Sequence, residues 1–372
     1  MIEPFGPDIL PAGIRARMVP EVNGLTVHLL EAGDPGRPAV LLLHGFPELA
    51  WSWRKVMPGL AAAGFHVLAP DLRGYGRTTG WDAAYDTDLR PFRLTNEVLD
   101  QLCLLARLDI PHVQAVVGHD YGASVAAWCA LTRPDVFRAM TIMSAPFGGP
   151  PAATAPALPD PAIHRALALL DRPRKHYHWY YSTREANGDM WNCTQGVHRF
   201  LRAYYHHKSG DWKDNKPFRL AGWTAEALAQ MPTYYIMDHD RTMAETVAPE
   251  MPTPADIAAC TWLTETELRI YSSEYERTGF QGGLQHYRCR TAGVGAADLA
   301  LFSGRRIEQK SMFVAGRSDW GIYQAPGAIE KMQETVCTSM AGCHLLQGAG
   351  HWVQQESAET VTALLCEFLK TP

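Results

Sequence analysis

The chain has 372 residues, 47% of them hydrophobic and 20% charged, which suits one large globular domain or a domain with a sizeable insertion. A net charge of −5 without a long basic run argues against nucleic acid or an anionic membrane as a partner. No segment is long and apolar enough to cross a bilayer, and the start lacks a signal-peptide pattern. Eight scattered cysteines without a Cys-x-x-Cys pair predict reduced thiols and a cytoplasmic location, and argue against a disulfide framework or a zinc site.

The first part of the chain predicts strands that alternate with helices. Two β-like runs between residues 15 and 31 flank Asn23-Gly24, a signal for a tight turn in an antiparallel pair. The apolar run 39–43 is typical of a central strand in a parallel sheet. Further strands are predicted over 65–69, 113–117 and 137–143, and helices over 51–63, 94–108 and 121–131. This alternation indicates a mostly parallel sheet covered on both faces.

The composition changes after this region and divides the chain. Residues 147–305 are rich in Trp, Tyr, His and helix-forming stretches, and predict one long, mainly helical insertion, the cap. The cap separates a first core part, 1–146, from a second core part, 306–372. In the second core part, a strand is predicted over 311–316, a helix near 328–338, a strand over 343–347 and an amphipathic helix over 358–369.

A strand, a sharp turn and a helix are indicated by residues 116–123, with Asp120 at the apex of the turn. Gly118 and Gly122 flank it, as a strained turn requires where a Cβ would collide with neighbouring segments. The apex of the general nucleophile-elbow pattern is usually Ser. A carboxylate that attacks an sp³ carbon leaves an ester that water can open, so Asp120 favours an epoxide or alkyl halide substrate. Taken alone, the motif also fits an aspartate helix cap.

An acid and a histidine follow the last two predicted strands, Asp319 in Gly-Arg-Ser-Asp and His351 in Gly-Ala-Gly-His-Trp. Both lie where open α/β sheets place ligand sites, at the carboxyl ends of strands. The chain order nucleophile, acid, histidine is that of a hydrolase triad. The loop after the strand 137–143 offers no carboxylate as an alternative acid. We therefore predict a triad of Asp120, Asp319 and His351.

These motifs, with His-Gly-Phe-Pro at 44–47 and Asp-Leu-Arg-Gly-Tyr-Gly at 71–76, resemble the α/β-hydrolase fold and, within it, the group of epoxide hydrolases and haloalkane dehalogenases. The resemblance implies a mostly parallel eight-stranded sheet, no cofactor and no metal. It also implies an oxyanion hole formed by the backbone N–H groups of Phe46 and Tyr121, and a cis bond before Pro47. Asp71 is interpreted as structural, paired with Arg73 to tie strand ends together.

The resemblance further implies two cap tyrosines that donate to the departing epoxide oxygen. Local matches favour Tyr177 and Tyr287, with Tyr180 as the reserve for the first position. If cap tryptophans line the pocket, the substrate is bulky and apolar. The remaining candidate pocket residues are His119, His178, Trp179 and Trp352. The predicted activity is hydrolysis of a small apolar epoxide to a vicinal diol.

Two alternatives to this activity remain open. Haloalkane dehalogenases usually carry Trp directly after the nucleophile, where this chain has Tyr121. Fluoroacetate dehalogenases resemble it at 178–180 and at Tyr287, but their substrate-binding arginines correspond to Tyr121 and Ser124, so a small anionic substrate lacks a counter-ion. The other alternative is a non-catalytic ligand receptor on the same fold. The choice of epoxide, the presence of a homo-oligomer and the role of 231–240 also stay open.

Overall fold

The computed structural model describes residues 2–154, 158 and 161–370. Its strands, in chain order, are β1 (Ile14–Val22), β2 (Leu25–Ala32), β3 (Ala39–Leu43), β4 (His66–Pro70), β5 (Ala115–His119), β6 (Ala139–Met143), β7 (Arg174–His176), β8 (Ile236–Asp238), β9 (Ile307–Gly316) and β10 (Cys337–Leu346). Eight of them form one sheet in the order β1-β2-β4-β3-β5-β6-β9-β10. The pairs β1–β2 and β2–β4 are antiparallel and the others parallel, which confirms the predicted eight-stranded, mostly parallel sheet.

Helices cover both faces of the sheet and form most of the chain between β6 and β9. The α-helices are α1 (Met57–Ala62), α2 (Leu94–Arg107), α3 (Tyr121–Thr132), α4 (Ala162–Ala168), α5 (Tyr177–Tyr181), α6 (Glu185–Trp191), α7 (Gly196–Lys208), α8 (Ala225–Leu228), α9 (Met243–Val247), α10 (Pro254–Ala259), α11 (Glu265–Thr278), α12 (Gln281–Thr291), α13 (Ala296–Ala300), α14 (Ala328–Lys331), α15 (Val353–Glu356) and α16 (Ala358–Lys370). None of the helices formed by the described residues has the length and apolarity that a membrane span needs.

The opening hairpin follows from its turn residues. Asn23 and Gly24 both have positive φ, 47° and 79°, which suits a two-residue turn between antiparallel strands. Val22 pairs with Leu25 across the turn, as the sequence predicts. At the centre of the sheet, all five residues of β3 are buried, because helices lie over both of its faces.

Two predicted helices are wrong in extent. The stretch 51–63 divides into a 3-10 turn, Ala50–Trp53, and α1, because Pro58 at the start of α1 cannot continue a preceding helix. The stretch 328–338 contains only α14 and one π turn, Met332–Val336. Strand β10 then begins at Cys337, where the backbone pairs with β9 instead of continuing the helix.

The segment 231–240, which sequence patterns left without interpretation, contains β8. This strand pairs with β7 in a separate two-stranded antiparallel sheet. Both strands belong to the part of the chain that connects β6 to β9. The Tyr177 backbone N–H, directly after β7, donates to the Tyr235 carbonyl oxygen at 2.9 Å. The pairing therefore fixes the backbone that carries Tyr177.

Candidate active site

Asp120 occupies a strained turn between β5 and α3, with φ 52° and ψ −115°. A Cβ on Gly118 would lie 2.0 Å from the Gly122 carbonyl oxygen, and one on Gly122 would lie 2.3 Å from the Leu43 oxygen. Real Cβ atoms do not approach backbone so closely, so both glycines are required, as the sequence indicates. A non-glycine residue at positive φ costs about 1–3 kcal/mol, which the surrounding sheet must offset.

The loop after β3 contacts the Asp120 carboxylate. The Phe46 N–H donates to Asp120 Oδ1 at 2.9 Å. A Cβ on Gly45 would lie 2.4 Å from the Asp120 Cβ, so only glycine allows this approach. The Phe46-Pro47 bond is cis, which confirms that prediction. Tyr121 is the first residue of α3; the role of its N–H as second oxyanion donor stays a prediction.

The structure brings the three predicted triad residues together at the carboxyl edge of the sheet. His351 Nε2 lies 3.4 Å from Asp120 Oδ2, and its Nδ1 lies 3.1 Å from Asp319 Oδ1. Asp319 Oδ1 also accepts the Gly321 N–H at 2.7 Å, which fixes the carboxylate. The His351 backbone N–H donates to the Lys208 carbonyl oxygen at 2.9 Å. One imidazole therefore joins the buried Asp319 carboxylate to the partly exposed carboxylate of Asp120.

The charges around the triad keep Asp120 ionised. Burial raises the pKa of Asp120, but the hydrogen bond and charge of His351, with the charges of Lys208 and His119, lower it below its ordinary value. Burial also raises the pKa of Asp319, and His351 again outweighs it and lowers the pKa. At neutral pH Asp120, the predicted nucleophile, is an anion, and Asp319 is an anionic partner for the imidazole.

His119, a predicted pocket residue, lies behind the site in a fully buried ion pair. Its Nδ1 lies 2.5 Å from Glu48 Oε2, and its Nε2 donates to the His351 carbonyl oxygen at 2.7 Å. Glu48 Oε2 also accepts the Gly45 N–H at 3.0 Å, and Glu48 Oε1 accepts the Gln354 side chain at 2.9 Å. Sequence reasoning missed Glu48, although it directly follows residues 44–47. Glu48 therefore connects the loop after β3 with the end of β5 and with the chain segment that follows His351.

A cavity of about 290 Å³ lies above the Asp120 carboxylate. Asp120 and Tyr121 line it from the core, and Tyr177, His178 and Tyr287 line it from the opposite side. The cap between β6 and β9 thus supplies both predicted tyrosines.

Two other predicted pocket residues do not line this cavity. Trp179 contacts the rings of His164 and His176 instead, and Trp352 is fully buried with its indole N–H donating to the Tyr205 carbonyl oxygen at 2.8 Å. Within the described part of the chain, no tryptophan lines the cavity. The condition for a bulky substrate, that cap tryptophans line the pocket, is therefore not met, because the cap indoles pack among the helices or face solvent.

Both candidate tyrosines are un-ionised donors. Burial first, and the Asp120 charge second, raise the pKa of Tyr177 and of Tyr287 well above the ordinary value. The Tyr177 hydroxyl donates to Gln324 Oε1 at 3.1 Å. The two phenol rings lie 5.9 Å apart between centroids. The reserve residue, Tyr180, does not line the cavity and donates instead to Asp189 Oδ2 at 3.0 Å.

Sequence reasoning missed three polar residues of the cavity, His286, Gln324 and Arg290. The signal for Arg290 was its position three residues after Tyr287 on α12, which places both on one helix face. Arg290 corrects the expectation that an anionic substrate lacks a counter-ion. Burial and the Arg290 charge hold the pKa of His178 well below its ordinary value, so this imidazole is neutral.

The sequence motif 71–76 is structural, but its predicted Asp-Arg pair is wrong. Asp71 Oδ2 lies 2.8 Å from His28 Nδ1, and its Oδ1 accepts the Ala50 N–H at 2.8 Å. Arg73 pairs instead with Asp100 at 2.6 Å. The arginine thus ties the loop after β4 to α2.

The chain matches the family model of the alpha/beta hydrolase fold over residues 38–252. It is 34% identical over 361 residues to epoxide hydrolase A of Mycobacterium tuberculosis, covering 94% of this chain and 95% of that relative. The solved structure of an epoxide hydrolase from an endophytic Streptomyces has a TM-score of 0.77 at 31% identity, covering 97% of this chain and 96% of the other. Epoxide hydrolase A from Mycobacterium thermoresistibile has a TM-score of 0.74 at 30% identity, covering 96% and 98%. The chain belongs to the epoxide hydrolases of the α/β-hydrolase fold.

Proposed function

We propose that the chain hydrolyses a small, largely apolar epoxide to a vicinal diol through an ester on Asp120. The observation that carries the proposal is the arrangement around this carboxylate. Oδ1 accepts the Phe46 N–H at 2.9 Å, Oδ2 lies 3.4 Å from His351, and two un-ionised phenols share its cavity. These contacts support the assignment of Asp120 as nucleophile, His351 as base and the two phenols as acids for one substrate.

In the first step, Asp120 Oδ2 attacks an epoxide carbon, the ring C–O bond breaks, and its electron pair goes to the epoxide oxygen. Tyr177 or Tyr287 gives that oxygen a proton, which leaves a tyrosinate beside the new alkyl ester. Tyr177 must first exchange its hydrogen bond to Gln324 for one to the substrate.

In the second step, His351 Nε2 takes a proton from water, and the hydroxide attacks Cγ of the Asp120 ester. The Phe46 N–H, and in our proposal the Tyr121 N–H, stabilise the tetrahedral oxyanion. The intermediate releases the diol, whose leaving oxygen takes the proton from His351. The second proton of the water restores the tyrosine hydroxyl.

Dehalogenation is the second candidate, and one observation favours it. His178 lines the cavity with its ring 5.3 Å from that of Tyr287, and Arg290 could neutralise a haloacid carboxylate. However, Trp179 lies outside the cavity, so the indole that would complete a halide site faces elsewhere. Two neutral phenols fit a departing alkoxide better than a halide, which needs no proton.

The test uses styrene oxide with Asp120→Ala, His351→Gln and, as a control, the exposed Asp135→Asn. We expect the Asp120 variant to be inert and the control to turn over normally. The His351 variant is expected to trap a covalent adduct, located on Asp120 by peptide mass spectrometry, because only its second step is lost. If wild type turns over but this variant accumulates no adduct, the two-step mechanism is wrong. Halide release from chloroacetate or fluoroacetate without turnover of epoxides would identify a dehalogenase. If neither epoxides nor haloacids are turned over, the chain would be a non-catalytic receptor.

We also propose the division into core 1–146, cap 147–305 and core 306–372, which is supported by the helices α4–α13 between β6 and β9. Limited proteolysis is expected to cut first near the two joins. The eight cysteines are unbridged, which supports the proposal of a reducing, cytoplasmic location. Cell fractionation tests that location, and sedimentation of the purified chain tests for a homo-oligomer.

A further inference from the structure

Arg290 lines the same cavity as the nucleophile and both candidate tyrosines. It is exposed, so its guanidinium stands at the cavity opening. Arg290 follows Tyr287 by three residues on α12, which is a rise of about 4.5 Å along the helix axis, and both residues therefore lie on the same helix face. Its charge also acts on Tyr177 and His178, which places it near the substrate volume and not on a remote surface.

The Arg290 guanidinium has no ion pair or hydrogen bond with any residue that the structure describes, in contrast to the arginines around it. Arg288, on the same helix, donates to the Tyr85 carbonyl oxygen and to Gln285 Oε1. Arg93, which faces α13, lies 3.4 Å from Asp298. A guanidinium carries five donors in a planar fork that matches a carboxylate. Arg290 is therefore available to a ligand.

The remainder of the cavity lining carries one anion and no second cation at neutral pH. Asp120 is ionised, whereas burial lowers the pKa of His286 to about 4 and raises that of Cys289 to about 12. His178 is neutral for the same reason. The wall near Arg290 is apolar, formed by Leu94, Val294 and Leu299. A ligand of this cavity thus meets a nucleophile deep inside, an apolar middle and a cation at the opening.

We propose that Arg290 forms an anion subsite, and that the preferred substrates are epoxides bearing a carboxylate separated from the oxirane by a short apolar spacer. The inference rests on the proposed function and specifies its substrate class. A neutral epoxide gains nothing from Arg290. A carboxylate at the opening gains charge-assisted hydrogen bonds there, and the same cation offsets its repulsion from Asp120.

The kinetic test compares para-carboxystyrene oxide with its neutral carboxamide analogue and with styrene oxide. We expect wild type to prefer the carboxylate over the carboxamide by about tenfold in kcat/KM, since charge-assisted hydrogen bonds to Arg290 strengthen binding and part of that gain is lost to solvent. Arg290→Met is expected to abolish the preference for the carboxylate through KM, and Arg290→Lys to retain part of it. The control is Arg138→Met, an exposed arginine directly before β6.

A binding measurement separates this proposal from the proposed reaction. In an Asp120→Asn background, calorimetry compares the diol products of the carboxylate and the carboxamide. Tighter binding of the carboxylate diol, weakened by salt and lost in Arg290→Met, supports the anion subsite even if wild type opens no epoxide, in which case the proposed function alone fails. Equal affinity for the two diols, or a carboxylate preference that survives Arg290→Met, overturns the subsite even if epoxide turnover is normal.

Discussion

Tyr177 and Tyr287 differ before a substrate binds, because only the Tyr177 hydroxyl has a hydrogen-bond acceptor among the residues that the structure describes. The Tyr177 hydroxyl donates to Gln324 Oε1 at 3.1 Å, and the Tyr287 ring packs edge-on against Phe46, 5.6 Å between centroids. Exchanging the Gln324 bond for one to the epoxide yields little net free energy, because one neutral hydrogen bond replaces another. We therefore expect Tyr287 to contribute more to the proposed ring-opening step than Tyr177.

We expect Tyr287→Phe to slow formation of the ester about 100-fold, within the range of acid catalysis, and Tyr177→Phe to slow it less. Hydrolysis of the ester is expected to be nearly unchanged in both, because His351 and not a phenol activates the water. Single-turnover stopped-flow fluorescence resolves the two steps. Tyr180→Phe, outside the cavity, is the control and should match wild type. A slowed second step with a normal first step would contradict the assigned roles.

At the scale of elements, Glu356 joins the cap to the loop that carries His351. From the end of α15 its carboxylate accepts the N–H groups of Gly350 and Trp352, both at 2.9 Å. It also accepts the Gly210 N–H at 2.7 Å, from the chain just after α7. A carboxylate is acceptor-only and suits three donors, whereas an amide presents its own N–H₂ to one of them.

Burial raises the pKa of Glu356 to about 7 despite these three donors, so the carboxylate is ionised only above that pH. At pH 8, Glu356→Gln is therefore expected to lower the free energy of unfolding by about 1.5–3 kcal/mol, since buried donors lose a charged acceptor. We also expect slower ester hydrolysis, because the His351 loop loses its anchor. Chemical denaturation and single-turnover kinetics measure the two effects. Glu359→Gln, on the exposed first turn of α16, is the matched control. A Glu356 variant as stable as this control would contradict the anchoring role.

The same elements mark what the sequence could predict. Asp120, Asp319 and His351 were predictable because they follow parallel strands, whose carboxyl ends meet at one edge of the sheet. The strands β7 and β8 were not predictable from the sequence. Three residues are too few to show an alternation of apolar and polar side chains, and each strand forms only by pairing with the other. Aromatic richness likewise could not tell that Trp179 faces His164 and His176 instead of the cavity, because composition does not specify which side of a short helix is buried.

At the scale of the whole molecule, buried neutral histidines make the fold sensitive to acid. Burial is the largest cause that lowers the pKa of His176 and His207 to about 3 and of His286 to about 4. Unfolded, each has a pKa near the ordinary value of 6.5. Because the folded pKa is the lower one, the unfolded state binds the proton first. The stabilisation is fully present above pH 6.5 and is lost as the pH falls toward the folded values.

By about pH 5, one and a half pH units below the unfolded pKa, each of these histidines has lost about 2 kcal/mol of stabilisation. Together that is about 6 kcal/mol, comparable with the total stability of an ordinary domain. We expect the melting temperature to fall steeply between pH 7 and pH 5 in calorimetric scans, and less steeply in His207→Gln, which removes one proton-binding site from the unfolded chain. The exposed His239→Gln should follow wild type. A melting temperature that is flat over this range would mean that the buried imidazoles find proton acceptors within the fold and become charged without disrupting it.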